Sequence, residues 1–165
     1  MTNYTDHHYD TIYKPSNFRP WSCDGEYQIP TLKTEYHIPH SLISFDDIKN
    51  SRQSLDSGVH FYIDDHRFKR LWRNPDRYLE MLKKFDCVLT PNFSLFSDMP
   101  VAMKIWNTYR SRLIGQMMQD HGIRVIPSVT WAEPESYQYC FFRYCKTRSN
   151  KHRVGRNHEK KSEYS

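Results

Sequence analysis

The sequence predicts an α/β fold in which three or more parallel strands alternate with helices. Between residues 59 and 131, three short apolar runs each lead into a segment with helical periodicity. Strands that alternate with helices pair in parallel, because each strand must return past a covering helix. The apolar runs are nearly continuous, which is typical of strands whose two sheet faces are both covered. An incomplete barrel and a doubly wound sheet both fit this pattern.

Composition divides the chain into three segments. Residues 1–45 are predicted to be irregular and packed on the domain, because prolines recur from Pro15 to Pro39 too often for long helices. Residues 46–142 are predicted to form the α/β domain. Residues 143–165 are predicted to be a basic, disordered tail.

The first strand–helix unit lies in "VHFYIDDHRFKRLWRNPDRYLEMLKKF". Residues 59–63 are predicted as a strand and residues 66–73 as a short helix. Asn74 is a suitable N-cap for a second helix, and Pro75 fits the first helical position. One face of that second helix carries apolar residues at i, i+4 and i+7, namely Tyr78, Leu82 and Phe85.

Two further units follow in the same order. "CVLTPNF" at 87–93 is predicted as the second strand, and Asp98 as the N-cap of a long helix that ends at Gly122. "IRVIPSVTW" at 123–131 is predicted as the third strand. "PESYQYCFF" is predicted to begin another helix.

The formal charge of +5 lies entirely in the C-terminal segment. Lys146 to Ser165 hold seven Lys and Arg residues and two acids, which leaves 17 bases and 17 acids for the rest of the chain. A neutral body gives no bulk-charge support to a phosphate-binding surface. The tail could contact nucleic acid through its phosphates, and a solvated charge run is the alternative interpretation.

Several classes of protein are disfavoured by what the sequence lacks. No apolar run is long enough to span a membrane, and a secretion signal is not apparent. Four cysteines without such a signal indicate free thiols in the cytoplasm. The motifs G-x-G-x-x-G, G-x-x-x-x-G-K-[ST], G-x-S-x-G and H-E-x-x-H are missing, which weakens nucleotide-binding and serine-hydrolase functions.

Oxygen-bearing side chains follow the predicted strands at the points where the strands end. Asp64 and Asp65 follow the first strand. Asn92 ends the second strand, and Glu133 follows the third. The carboxyl ends of parallel strands share one edge of the sheet, where ligand sites gather, so we expect these side chains to converge. They are candidate catalytic residues that could divide acid and base roles, and Asp64 and Asp65 are candidate ligands of Mg²⁺.

A structural alternative exists for both aspartates. Asp65 could cap the helix that begins at His66, because an Asp at the N-cap accepts hydrogen bonds from main-chain N–H groups that are otherwise unpaired. Asp64 could pair with an Arg, since perturbed acids also occur in structural networks.

Three further side chains near the strand ends are candidate binding residues. Trp131 and Phe93 could line a pocket, although aromatic residues at such positions usually pack. His60 lies on one face of the first predicted strand, where a hydrogen-bonded core histidine is the alternative to a ligand.

A zinc site is a further alternative near the C-terminus. Cys140, Cys145, His152 and His158 form two pairs that resemble zinc-ligand spacing. The spacer between the pairs is shorter than the about twelve residues of the common zinc finger, which disfavours this alternative.

Three stretches carry a resemblance to a known family. They are the "VHFYIDD" strand with its two aspartates, "DCVLTPNFSLFSDMP", and "IRVIPSVTW" with its I-P-x-x-x-W pattern. Over about residues 26–141 the chain resembles the domain-of-unknown-function family four-four-one-seven of bacteria and phages. The resemblance implies a link to phages or other mobile elements. It brings no established activity and therefore no catalytic residues.

The chain departs from that family after residue 142. Family members continue with a further apolar strand, whereas here "RYCKTRSNKHR" follows and no sheet would accept it. The expectation is that residues 143–153 are read in a shifted frame and that the chain stops early, which sequencing the gene would test.

Three functions are expected from these observations. The first is an accessory protein of a phage or mobile element that performs metal-assisted hydrolysis at a carboxylate-lined edge. There Asp64 would act as metal ligand or as base, Asn92 would orient the bound group, and Glu133 would complete the site. The second is a non-enzymatic binding module for nucleic acid or a protein partner. The third is an inactive, truncated fragment.

Overall fold

A computed structural model of the chain describes residues 4–33, 35–50 and 56–141. The predicted disordered tail at 143–165 and the predicted frame-shifted segment at 143–153 lie outside the described residues.

Within the described residues, five α-helices and six strands follow one another along the chain. Their order is α1 (Tyr4–Tyr13), β1 (Cys23–Asp24), β2 (Ile29–Pro30), β3 (Ser41–Ser44), β4 (Ser57–His60), α2 (Asp65–Arg73), α3 (Pro75–Leu82), β5 (Cys87–Leu89), α4 (Val101–Asp120), β6 (Val125–Ile126) and α5 (Tyr137–Cys140).

The domain is built around a four-stranded parallel sheet in the order β3-β4-β5-β6. Val59 of β4 pairs with Val88 of β5, which in turn pairs with Val125 of β6. Helices are interleaved with these strands, so the predicted α/β fold is confirmed. In this sheet each strand lies beside the strand that precedes it in the chain. The order of the described strands therefore does not reverse as it does in a doubly wound sheet.

The three predicted strands are present but shorter than the apolar runs. β5 stops at Leu89 and β6 stops at Ile126. Pro91 and Pro127 follow closely, and proline has no N–H group to donate to a strand ladder. The segments beyond these strands are therefore free to form the loops at the carboxyl end of the sheet.

The N-terminal part contains regular structure that the sequence did not predict. Helix α1 (Tyr4–Tyr13) lies within the predicted irregular segment and ends before Pro15. Ser41–Ser44 pairs with β4 as an edge strand of the sheet. This edge strand escaped prediction because it has only four residues and begins and ends with Ser. The division of the chain at residue 45 stays a prediction.

The observed helix boundaries contradict two predicted N-caps and confirm one predicted helix end. α2 begins at Asp65, and its N-cap is Asp64, whose side chain makes no capping hydrogen bond. α4 begins at Val101 with Pro100 as N-cap, so the prediction that Asp98 caps this helix is wrong. Pro100 disfavours helical geometry at the residue before it, which delays the start of the helix. The predicted end at Gly122 is confirmed, since its φ of 75° is readily adopted only by glycine.

The core lies between the sheet and helices α2, α3 and α4. Phe61, Phe68 and Val88 are each at most 1% exposed and belong to one cluster with Leu113 and Ile114 of α4. This packing fixes α4 against the sheet, and it thereby positions the polar residues in the first three turns of α4 beside the strand-end loops. No helix in the described parts of the chain has the length and apolar character needed to cross a membrane.

Candidate functional site at the carboxyl end of the sheet

Asp65 is hydrogen-bonded to Ser94 in the loop after β5. The main-chain N–H of Ser94 donates to Oδ1 at 3.2 Å and to Oδ2 at 3.1 Å of Asp65, and the Ser94 hydroxyl donates to Oδ1 at 2.9 Å. Asp65 therefore does not cap α2. Its carboxylate instead joins the first residue of α2 to the loop that follows β5.

The same network continues into α4. Asn107 donates from Nδ2 to the Ser94 carbonyl at 2.7 Å, and its Oδ1 accepts from Arg110 Nε at 3.1 Å and Nη2 at 2.7 Å. The Arg110 guanidinium lies 3.7 Å from the centroid of the Phe93 ring. Burial lowers the pKa of Arg110, and the Asp65 carboxylate acts in the opposite direction. Phe93, a predicted pocket residue, is thus 1% exposed and packed beneath this guanidinium.

Glu133 is held by a buried lysine of α4. Lys104 Nζ donates to Glu133 Oε1 at 2.5 Å, and the Lys104 side chain is only 3% exposed. The other carboxylate oxygen, Oε2, is buried without a hydrogen-bond partner among the described residues. Ser136 stabilises this loop because its hydroxyl donates to the Glu133 carbonyl at 2.6 Å.

Asn92 and Asp64 differ in their surroundings. Asn92 is half-buried in the loop after β5, and its Oδ1 is buried without a hydrogen-bond partner in the described structure. Asp64 is exposed at the start of α2. Within residues 4–33, 35–50 and 56–141, acids at this edge do not form a group of three at metal-ligand spacing. The magnesium-binding role of Asp64 and Asp65 stays a prediction.

The structure therefore connects two of the predicted site residues, Asp65 and Glu133, to the same helix, α4. Asp65 reaches Asn107 of α4 through Ser94, and Glu133 contacts Lys104, one turn earlier on the same helix. Both acids are already engaged by hydrogen-bond donors in this geometry. Asp64 contacts neither network.

An exposed aromatic cluster lies in the segment after β6. Trp131 contacts Tyr137 and Phe141 with ring centroids 6.3 Å and 5.4 Å apart, and Tyr137 contacts Phe141 at 5.2 Å. The three side chains are 51%, 46% and 46% exposed. We refer to Trp131, Tyr137 and Phe141 as the aromatic trio.

His60 and Cys140 make local contacts in the described structure. The His60 ring stacks on Tyr62, and its Nδ1 accepts from the Tyr62 main-chain N–H at 3.2 Å. Burial lowers the pKa of His60. Cys140 is buried, with its sulfur 3.8 Å from the Thr108 hydroxyl, and burial raises the pKa of its thiol. The other predicted zinc ligands, Cys145, His152 and His158, lie outside the described residues.

A second polar cluster, which the sequence did not predict, lies at the amino end of the sheet. His37 Nε2 is 2.5 Å from Asp86 Oδ2, and Arg124 Nη1 donates to Asp86 Oδ1 at 2.8 Å. One ligand atom each from His37, Asp86 and Cys87 lie within 4.8 Å of one another. Asp86 and Arg124 immediately precede β5 and β6, so parallel pairing could have placed them side by side. Their partner His37 is 49 residues from Asp86 and has no motif to reveal it.

Comparison with known proteins identifies the family to which this α/β domain belongs. The family described as "Domain of unknown function (DUF4417)" matches residues 21–150, so the chain belongs to that family and the predicted resemblance is confirmed. The family description states no activity.

Two relatives come from mycobacteriophages. The chain is 38% identical to the "Gene 1 protein" of Mycobacterium phage L5 over 73% of this chain and 54% of the relative. It is also 38% identical to the "Gene 1 protein" of Mycobacterium phage D29 over 70% of this chain and 43% of the relative. The chain thus spans about half the length of the curated relatives it matches. No solved structure matches the chain.

Proposed function

We propose that this protein is an accessory protein of a phage or another mobile element, and that it performs metal-assisted hydrolysis at the carboxyl end of its sheet. The observation that carries the proposal is that two of the predicted site residues each have a buried oxygen, Asn92 Oδ1 and Glu133 Oε2, without a hydrogen-bond partner in the described structure. Buried polar atoms are normally satisfied. Oxygen atoms of this kind are the ligands that Mg²⁺ prefers.

The contacts around these oxygens suggest how the roles are divided. Lys104 holds one oxygen of Glu133 and leaves the second available to a cation or to a water molecule. Asn92 would orient the bound group through its amide oxygen. Asp64 is exposed and would act as ligand or base, whereas Asp65, already bonded to Ser94, would contribute charge and hold the loop.

Calorimetric titration of Mg²⁺ into the purified chain tests this proposal. We expect binding to the unmodified protein, and we expect Glu133→Gln and Asn92→Ala each to weaken it at least about tenfold, since each removes an oxygen ligand or its charge. Glu135→Gln is the matched control, because Glu135 is an exposed acid two residues away. No heat of binding, or equal affinity in all variants, would contradict the proposal.

A second function is favoured by the aromatic trio. Exposed aromatic rings beside basic residues bind single-stranded nucleic acid by stacking on its bases, at about 1–3 kcal/mol per base. The trio precedes the sequence segment from Lys146 to Ser165, which holds seven of the Lys and Arg residues of the chain. A non-enzymatic nucleic-acid-binding module is therefore the alternative proposal.

Fluorescence anisotropy with a labelled single-stranded oligonucleotide separates this alternative from the first. Binding should weaken with salt, should fall on deletion of residues 146–165, and should fall several-fold in Trp131→Ala. Trp21→Ala is the matched control, since Trp21 is 82% exposed and does not belong to the trio. Equal losses of oligonucleotide affinity in the two tryptophan variants would contradict a specific role of the aromatic trio in binding.

A further inference from the structure

We propose that His37, Asp86 and Cys87 form a binding site for a thiophilic divalent cation such as Zn²⁺ at the amino end of the sheet. One imidazole nitrogen, one carboxylate oxygen and one sulfur lie within 4.8 Å of one another. Zinc sites use these atom types, and three protein ligands leave a fourth position for water or another ligand. The site lies at the end of the sheet opposite to the carboxylates discussed above, and it is independent of their function.

The fold supplies these ligands from two neighbouring places. Asp86 and Cys87 lie at the start of the central strand β5, and His37 lies in the segment that leads into edge strand β3. Gly58 of β4 gives the sulfur its space, because a Cβ at this position would lie 2.9 Å from Cys87 Sγ. The thiol is thus fixed on the sheet beside the carboxylate that precedes it in the chain.

Arg124 holds the carboxylate in an orientation that suits a metal ligand. It donates to Asp86 Oδ1 at 2.8 Å, which leaves Oδ2 in contact with His37 Nε2 at 2.5 Å. A cation would replace the contact between Oδ2 and Nε2, and the two atoms would move apart to about 3.4 Å, the separation that tetrahedral geometry gives for metal–ligand bonds of about 2.0–2.2 Å. Arg124 Nη1 also lies 3.3 Å from His37 Nε2, and this contact must open.

The charges of the cluster favour a thiophilic ion over Mg²⁺. Two anionic ligands, the Asp86 carboxylate and the Cys87 thiolate, would compensate the ion beside the Arg124 guanidinium. Cys87 binds a metal as the thiolate, so the ion must displace the thiol proton to bind. Ions that bind thiolate strongly can do so, whereas Mg²⁺ prefers oxygen ligands.

Titration of the full chain with Co²⁺, a spectroscopic substitute for Zn²⁺, tests the site. We expect one equivalent of Co²⁺ to produce a thiolate-to-cobalt charge-transfer band, and we expect Zn²⁺ to remove it. Cys87→Ser should abolish the band. Cys23→Ser is the matched control and should retain it, because Cys23 lies in the separate β1–β2 hairpin.

A second variant covers the case in which Cys87→Ser fails to fold. His37→Gln changes a half-buried side chain, and it should lower Co²⁺ affinity at least about tenfold while near-ultraviolet circular dichroism stays unchanged. The site is disproved by any of three results: no charge-transfer band in the unmodified protein, a band that persists in folded Cys87→Ser, or unchanged affinity in His37→Gln. His37 and Asp86 would then form only an ion-pair cluster with Arg124, beside the buried Cys87 thiol.

Discussion

Lys104 and Glu133 form an ion pair that joins the first turn of α4 to the loop after β6. The lysine side chain is 3% exposed and the glutamate side chain is 25% exposed, with Nζ and Oε1 2.5 Å apart. A buried ammonium group without its partner is costly, so this pair ties the strand-end loop to the core.

Replacing Glu133 with Gln should therefore destabilise the protein as well as alter its site. We expect a loss of about 2–3 kcal/mol in the free energy of unfolding, somewhat below the range for fully buried pairs because Glu133 is partly exposed. Urea denaturation measures this loss. The double variant Lys104→Met with Glu133→Gln should recover part of it, since no buried charge then remains unpaired. A Glu133→Gln variant as stable as the unmodified protein would show that the pair contributes little.

Replacing Asp65 with Ala should cost more than replacing Asp64. The Asp65 carboxylate accepts from both the N–H and the hydroxyl of Ser94, and its loss leaves two partly buried donors unpaired. We expect a loss of about 1–3 kcal/mol in the free energy of unfolding. Asp64→Ala, at an exposed position, should stay within about 0.5 kcal/mol. Equal effects in urea denaturation would contradict the assigned network.

Gly58→Ala should destabilise the sheet by overpacking. The added Cβ would lie 2.9 Å from Cys87 Sγ and 2.9 Å from Leu42 Cδ2. We expect a cost of about 1–3 kcal/mol in unfolding free energy. Adding Cys87→Ala to Gly58→Ala should cost less than the sum of the two single changes, because one of the clashing atoms is gone. Additive costs would show that the sulfur does not meet the new methyl group.

The stability of the protein should depend on His60 in mildly acidic solution. Burial lowers the pKa of His60 below its ordinary value of 6.5, so the unfolded chain binds this proton more readily than the folded chain. Stability contributed by neutral His60 is present above pH 6.5 and declines as the pH falls through and below that value. Thermal melts at several pH values should therefore show a shallower acid loss for His60→Gln than for the unmodified protein. His66→Gln, at an exposed position, is the control.

The order of strands and helices could be predicted because the apolar runs supply mostly buried strands and because α2 and α3 each bury an apolar face. The buried face of α4 was not apparent, since it also contains Lys104, Asn107 and Arg112. The strand Ser41–Ser44 could not, since four residues at a sheet edge leave too weak a pattern. The helix start at Val101 depends on Pro100, whose steric effect on the preceding residue outweighs the capping preference of Asp98.

The candidate sites were harder to predict than the strands. Parallel pairing predicts that Asp65 and Glu133 share an edge, but the sequence does not reveal that Ser94 and Lys104 engage them. The cluster at the amino end joins His37 to Asp86 across 49 residues, a contact that only the packed sheet creates.

The most direct test of the magnesium site proposed at the carboxyl end of the sheet is a thermal melt of the purified chain with and without Mg²⁺. Near-ultraviolet circular dichroism monitors the unfolding. A ligand that binds the folded state raises the midpoint of unfolding. The proposal predicts a sharp transition whose midpoint rises with Mg²⁺ in the unmodified protein and does not respond in Asp64→Asn or Glu133→Gln. An unfolding midpoint that is unchanged by Mg²⁺ in all three proteins would contradict the proposal.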